Sequence, residues 1–179
     1  MDQMVEKILI TEEEITRRVK ELGEEISKDY AGEEVMVLCV LKGAFVFASD
    51  LIRAISLPAS INFMCLSSYG SGTTSSGKVQ VTKDLDCPVE GKHVIIAEDV
   101  IDSGNTLHFL VDYLKEKGAT SVDVCAIFDK PSRRQVEVEV RYIGFEIPDE
   151  FVIGYGLDYA ENFRNLPYLG VLKREVYEG

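Results

Sequence analysis

The middle of this chain repeats one pattern: a short apolar run, a break, then apolar residues at helical spacing. Val35–Leu41 is the first run; Lys42-Gly43 breaks it, and Ala44–Ile55 reads as a helix. His93–Ala97 (HVIIA) is the clearest buried strand. Leu107, Leu110, Val111 and Leu114 then mark a helix face that Gly118 ends. Val122–Phe128 is a further strand. Strands that alternate with helices predict an α/β fold on a mainly parallel sheet flanked by helices. Upstream, Thr11-Glu12-Glu13-Glu14 is a capping box, and Ile15, Val19, Leu22 and Ile26 follow at helical spacing, which predicts a helix over about residues 11–30. Ser60–Leu66 and Val79–Lys83 read as strands, and residues 136–143 and 151–155 as shorter ones.

With 179 residues, no internal repeat and no boundary-like composition shift, residues 1–179 read as a single domain able to bury a core without disulfides. The net charge of −12 argues against long nucleic acids as partners, because their phosphates call for Lys and Arg. A local site can still take a small phosphorylated ligand, and an acidic site suits metal ions. Cys39, Cys65, Cys87 and Cys125 form no CxxC pair, so a zinc site is disfavoured. Cys39, Cys65 and Cys125 sit inside apolar runs and read as buried thiols in a reducing compartment. The acidic N-terminus is unlike a signal peptide, and no run approaches the roughly 18 apolar residues of a membrane helix. A cytoplasmic protein without membrane partners is expected.

The segment Glu98-Asp99-Val100-Ile101-Asp102-Ser103-Gly104-Asn105-Thr106 leads from buried strand to helix start through three carboxylates. In open α/β sheets ligands bind beyond the carboxyl ends of strands. Residues 102–106 have the parts of a phosphate cradle: Gly104 allows close backbone approach, the helix N-terminus favours an anion, and Ser103 and Thr106 offer hydroxyls. GxxxxGK[ST] and GxGxxG are both absent. Glu98 and Asp99 have the chemistry to hold vicinal sugar hydroxyls or Mg²⁺, and Asp102 is placed to accept a proton from a ligand. An adjacent Glu-Asp pair is more often a solvated turn with a cap. Its position directly after a β run and before DSGNT weighs against that here. Residues 67–78 (SSYGSGTTSSGK) could be a flexible linker, but strand-like sequence on both sides favours a mobile lid.

This segment resembles the phosphoribosyl-diphosphate signature of the type I phosphoribosyltransferases. The chain is similar to their hypoxanthine(-guanine) branch through Leu41-Lys42-Gly43-Ala44, Ser67–Gly70, Phe128-Asp129-Lys130-Pro131, the Phe151–Tyr159 block (FVIGYGLDY) and Arg164–Tyr168. The resemblance covers nearly the whole chain. It implies that fold with a small hood and a mobile lid, and transfer of 5-phosphoribosyl from phosphoribosyl diphosphate to hypoxanthine or guanine with Mg²⁺. It implies that Glu98 and Asp99 hold the ribose hydroxyls and Mg²⁺, that Asp102 is the general base at purine N7, and that Asp102, Ser103, Gly104, Asn105 and Thr106 hold the 5′-phosphate. Lys42, Gly43 and Arg164 would bind pyrophosphate, with an unusual peptide geometry at Leu41-Lys42. Lys130 would donate to the purine 6-oxygen, Phe151 would stack on the base and Val152 would contact it through its backbone. Asp158, near the base, would bind a second Mg²⁺. Ser68 and Tyr69 would lie on the lid, and a homodimer or homotetramer is implied.

Several of these residues have plainer readings by themselves: Lys42 as a snorkelling surface lysine, Lys130 as a turn lysine, Phe151 as core, Arg164 as a surface partner of Glu161. His93 and His108 read as structural. Two rival functions stand beside the main one. One is the same reaction on xanthine or adenine, the latter disfavoured because a 6-amino group offers Lys130 no acceptor. The other is a regulatory relative that binds nucleotide or nucleic acid without turnover.

Overall fold

The computed structural model describes residues 2–69 and 78–179. The capping box forms as expected: Thr11 accepts from the Glu14 amide at 3.3 Å, and Glu14 returns a bond to the Thr11 amide at 2.8 Å. It opens α1 (Glu12–Asp29), which turns Ile15, Val19, Leu22 and Ile26 inward. Before it runs β1 (Val5–Ile10), and after it β2 (Val35–Leu41) and α2 (Phe45–Ala54). Gly23 lets α1 cross α2 closely, since a Cβ there would lie 2.5 Å from that of Ala54. β3 (Ala59–Tyr69) and β4 (Lys78–Lys83) pair antiparallel. β5 (His93–Ile101), α3 (Asn105–Glu116), β6 (Ser121–Asp129) and β7 (Tyr142–Glu146) complete the main unit.

The main sheet has the order β4-β3-β2-β5-β6-β7, parallel except for the edge strand β4. Successive residues of β2 alternate between two cores. Val35, Val37 and Cys39 pack with α1 and α2, whereas Met36, Leu38 and Val40 pack with Leu107, Leu110 and Leu114 of α3. Each large aliphatic side chain so buried contributes about 1.5–3 kcal/mol.

Three expectations differ from the structure. The strand expected over 136–143 is irregular up to Arg141, and β7 begins at Tyr142. The Val-Glu alternation there has no ladder partner among the described residues, and Val138 and Val140 instead pack beside α3. Of 151–155 only β8 (Val152–Ile153) is strand, because Gly154, Tyr155 and Gly156 all take positive φ. β8 joins β9 (Leu169–Leu172) and β1 in a small antiparallel sheet that caps the carboxyl end as a hood, followed by α4 (Arg174–Tyr177). β1 and β9 escape sequence reading because their pairing spans nearly the whole chain. Cys65 is half-buried rather than buried. Ser68 and Tyr69 extend β3 in register with Val79 and Lys78; residues 70–77 of the expected lid lie outside the described residues.

Candidate active site

β2, β5 and β6 run parallel and in register, so the residues that follow them share one rim. Leu41 leads into Lys42-Gly43, Ile101 into Asp102, and Asp129 into Lys130, whose amide donates to the Ile101 carbonyl at 3.0 Å. The strand expected to stop at Ala97 continues through Glu98 and Asp99 to Ile101. The two acids are therefore fixed by the sheet ladder rather than by a loop. A larger cavity, about 630 Å³, lies at the opposite, amino end of the sheet around Val35, Ala59 and His93, away from these charged groups.

Residues 102–106, where a phosphate cradle is expected, form a tight turn. Gly104 caps α3 at φ 86°, a conformation that disfavours any side chain, and a Cβ there would lie 2.8 Å from the Val136 carbonyl. The Ser103 carbonyl accepts from the Gln135 and Val136 amides at 2.9 and 3.1 Å, and Ser103 Oγ accepts from the Asn105 amide at 3.3 Å. Beside this turn lies a cleft of about 200 Å³, lined on its polar side by Glu98, Asp102, Ser103, Gly104 and Thr106. Amides at the start of α3 and the helix dipole give this cleft the character of an anion site.

The acidic pair is short of positive charge. Glu98 is buried, and its Oε1 accepts from the Asp99 amide at 3.2 Å; Asp99 Oδ1 accepts from the Val100 amide at 2.7 Å. Burial and then the charge of Asp99 push the Glu98 carboxyl well above its ordinary range, and burial raises Asp99 too. No Lys, Arg or His among the described residues stands in ion-pair range of either. Gly43 lies directly on this pair: a Cβ there would fall 1.7 Å from Asp99 Oδ2. Gly156 also lies close against Gly43: its own Cβ would come within 2.2 Å of the Gly43 carbonyl. The Leu41-Lys42 peptide bond is cis.

Asp102 and Lys130 face each other. Lys130 is buried; its Nζ donates to the Glu150 carbonyl at 2.9 Å and stands 4.0 Å from Asp102 Oδ1. Arg133 Nε lies 3.4 Å from the same oxygen, and its Nη1 3.3 Å from Asp149. Phe151 follows Glu150 and is 38 % exposed, and Val152 is buried in β8. On the hood side, Arg164 donates to the Gly156 carbonyl at 2.8 Å and pairs with Asp158 at 3.1 Å and Glu161 at 3.3 Å. Lys42 reaches Glu161 at 3.0 Å, and Asp158 Oδ2 accepts from the Glu161 amide at 2.9 Å.

Residues 7–160 match the family model described as "Phosphoribosyl transferase domain". The chain is 50 % identical over 178 residues to the hypoxanthine-guanine phosphoribosyltransferase of Bacillus subtilis, covering 99 % of each. The chain belongs to the phosphoribosyltransferase family, in its hypoxanthine-guanine branch. Members of this branch are pentosyltransferases. A solved hypoxanthine phosphoribosyltransferase from Staphylococcus aureus is 46 % identical and superimposes with a TM-score of 0.97, covering 100 % of this chain and 97 % of that one. The bifunctional TilS/HprT proteins of Listeria are 49–50 % identical, and the chain spans only 27 % of their length.

In this phosphoribosyltransferase one rim gathers Lys42, Gly43, Glu98, Asp99, residues 102–106 and Lys130. Phe151 and Val152 join them through the Lys130–Glu150 bond. Asp158 and Arg164 form a neighbouring cluster with Lys42 and Glu161. Asp158 is engaged by Arg164, and no group of three or more His, Cys, Asp or Glu able to share a metal occurs among the described residues. His93 bonds Ser121 at the sheet's amino end and His108 is exposed on α3, which fits their structural reading. Arg133 and the Glu150 carbonyl were not anticipated. The only sequence signal for Arg133 was a basic pair after Lys130-Pro131, and a carbonyl leaves no signal in side-chain type.

Proposed function

We propose that this chain transfers 5-phosphoribosyl from phosphoribosyl diphosphate to hypoxanthine or guanine, giving IMP or GMP and pyrophosphate. The observation that carries the reading is the joining of three strand ends. Gly43 lies on Asp99, and Asp102 faces Lys130 at 4.0 Å, so one nucleotide-sized ligand can touch all of them. The cradle at 102–106 takes the 5′-phosphate, with Glu98 and Asp99 beside it for the ribose hydroxyls. Lys42, the Gly43 amide and Arg164 take the pyrophosphate, Arg164 exchanging its acidic neighbours for the ligand. Phe151 stacks on the base, Val152 meets it through its backbone, and Lys130 donates to the 6-oxygen, which rejects a 6-amino purine.

In the transfer, the bond between ribose C1 and pyrophosphate breaks while the purine nitrogen bonds to C1 from the opposite face. Asp102 accepts the proton from N7. The transition state has oxocarbenium character, stabilised by the nearby carboxylates. Glu98 and Asp99, desolvated and without a cationic partner, fit Mg²⁺, a hard ion that takes one or two carboxylates and completes its shell with water and substrate oxygens. Asp158 is the candidate for a second ion. The bound ion supplies positive charge against the departing pyrophosphate. Ser68 and Tyr69, at the end of β3, are the candidates for a lid that keeps water out.

No described helix is long and apolar enough to cross a membrane, and all four cysteines are free thiols, which suits a cytoplasmic enzyme. A homodimer or homotetramer is the expected assembly. The reading is tested with phosphoribosyl diphosphate, Mg²⁺ and hypoxanthine, guanine, xanthine or adenine in turn, followed spectrophotometrically. Turnover of hypoxanthine and guanine is expected; turnover of adenine alone, or of no base, refutes it.

A further inference from the structure

Phe151 has two ring faces, and one of them is taken. The Tyr177 ring stacks on it with centroids 4.8 Å apart and planes 23° apart, while Tyr159 meets it in a T-shaped contact at 5.6 Å. Tyr177 belongs to α4 and packs on the hood core of Ile153, Phe163, Leu166 and Leu172. Two bonds tie this helix and the Phe151 backbone to the hood: Tyr159 donates to the Val176 carbonyl at 3.3 Å, and the Leu172 amide donates to the Phe151 carbonyl at 2.9 Å. Although Tyr177 and Tyr159 both pack against it, Phe151 stays 38 % exposed, and its neighbour Glu150 is held by Lys130 on the rim.

We infer that Tyr177 is a positioning residue for base binding: its ring backs Phe151 and presents the open face of Phe151 to the purine. This rests on the proposed stacking role of Phe151. A lone half-exposed phenyl ring samples several rotamers, and each base captured must then order it. A second ring stacked behind it removes that cost in advance. Among the described residues α4 makes no hydrogen bond or ion pair with the cradle or the acidic pair, so the effect falls on the base and not on the phosphoribosyl donor.

The test compares the wild type with Tyr177→Ala, Tyr177→Leu and Tyr177→Phe in the full chain. An aligned aromatic pair predicts a rise of about three- to tenfold in KM for hypoxanthine on losing the ring. That rise is expected in Y177A and in Y177L, which keeps apolar volume without a ring. KM for phosphoribosyl diphosphate should stay within twofold of wild type, and Y177F should behave as wild type. The inference is overturned if Y177A leaves the hypoxanthine KM unchanged, if both KM values shift alike, if Y177L matches wild type, or if Y177F matches Y177A. A wild-type chain that turns over no base removes the base-transfer reading itself and the inference with it. An active wild type with any of the four results above removes the inference alone.

Discussion

Replacing Gly43 by Ala probes the contact that joins the Lys42-Gly43 turn to the acidic pair. Gly43 is not at positive φ, so the substitution acts through space rather than through backbone strain. The new Cβ would lie 1.7 Å from Asp99 Oδ2 and 2.8 Å from Cγ, where ordinary contact is 3.4–4 Å. The carboxylate must then retreat by about 2 Å or the turn must lift off the sheet. Asp99 Oδ1 is held by the Val100 amide at 2.7 Å, and Gly156 lies close against the Gly43 carbonyl, so neither escape is free. Overpacking of this kind costs about 1–3 kcal/mol. In a chain of this length that lowers Tm by about 2–4 °C per kcal/mol. The functional loss should be larger, because a displacement of about 1 Å at a reacting site can cost about 100-fold. Steady-state assays should show kcat/KM for phosphoribosyl diphosphate falling about 100-fold, equivalent to about 2.7 kcal/mol. Gly91→Ala is the control: nothing lies within 4 Å of its Cβ, and at φ 73° it costs about 1 kcal/mol of stability with no loss of activity. A Gly43→Ala variant within threefold of wild type would refute the argument that this contact sets the site.

Asp102→Asn keeps shape and hydrogen-bonding reach but cannot accept a proton; kcat should fall about 10²–10⁴-fold with Tm unchanged, and unaltered turnover would remove Asp102 from its role. Lys130→Met takes the proposed donor from the base site and leaves the part-buried Glu150 carbonyl without this partner, so kcat/KM for hypoxanthine should fall about 10–100-fold while KM for phosphoribosyl diphosphate holds; a uniform loss for both substrates would contradict a base-specific role. Burial pushes the Cys39 thiol up to about 12 and raises Cys125 as well. Both stay protonated at pH 8, Cys39 with about one part in 10⁴ as thiolate; stability falls progressively as pH rises from 9, where the unfolded Cys39 thiol ionises, to about 12, where the folded one does. A chromogenic disulfide reagent at pH 8 should therefore titrate Cys65 and Cys87 in the folded chain, and Cys39 and Cys125 only after unfolding; four equally fast thiols would contradict the burial.

By itself the sequence determined the elements whose forces are local. The capping box and the Ile15–Ile26 spacing specify α1 within a residue or so at each end. The run Val35–Leu41 specifies β2, since seven apolar residues between breaks have no use except burial on both faces of a sheet. The chemical types at the site were legible for the same reason: Glu98, Asp99, Asp102 and the 103–106 turn lie within nine residues, so strand-end geometry alone brings them near one another. Tertiary structure decided everything that depends on long closures. The pairing of β1 with β9 follows from hood packing, and the alternation in VEVEV found no partner strand among the described residues. Gly43 became the hinge of the site only because Asp99 and Gly156 press on it from elements far apart in sequence. Lys130 is fixed on the rim by the Glu150 carbonyl and faces Asp102, and Arg133 meets Asp102 through one turn of 3-10 helix. A periodicity records which face a residue turns inward, but carries no information on which distant group will meet it there.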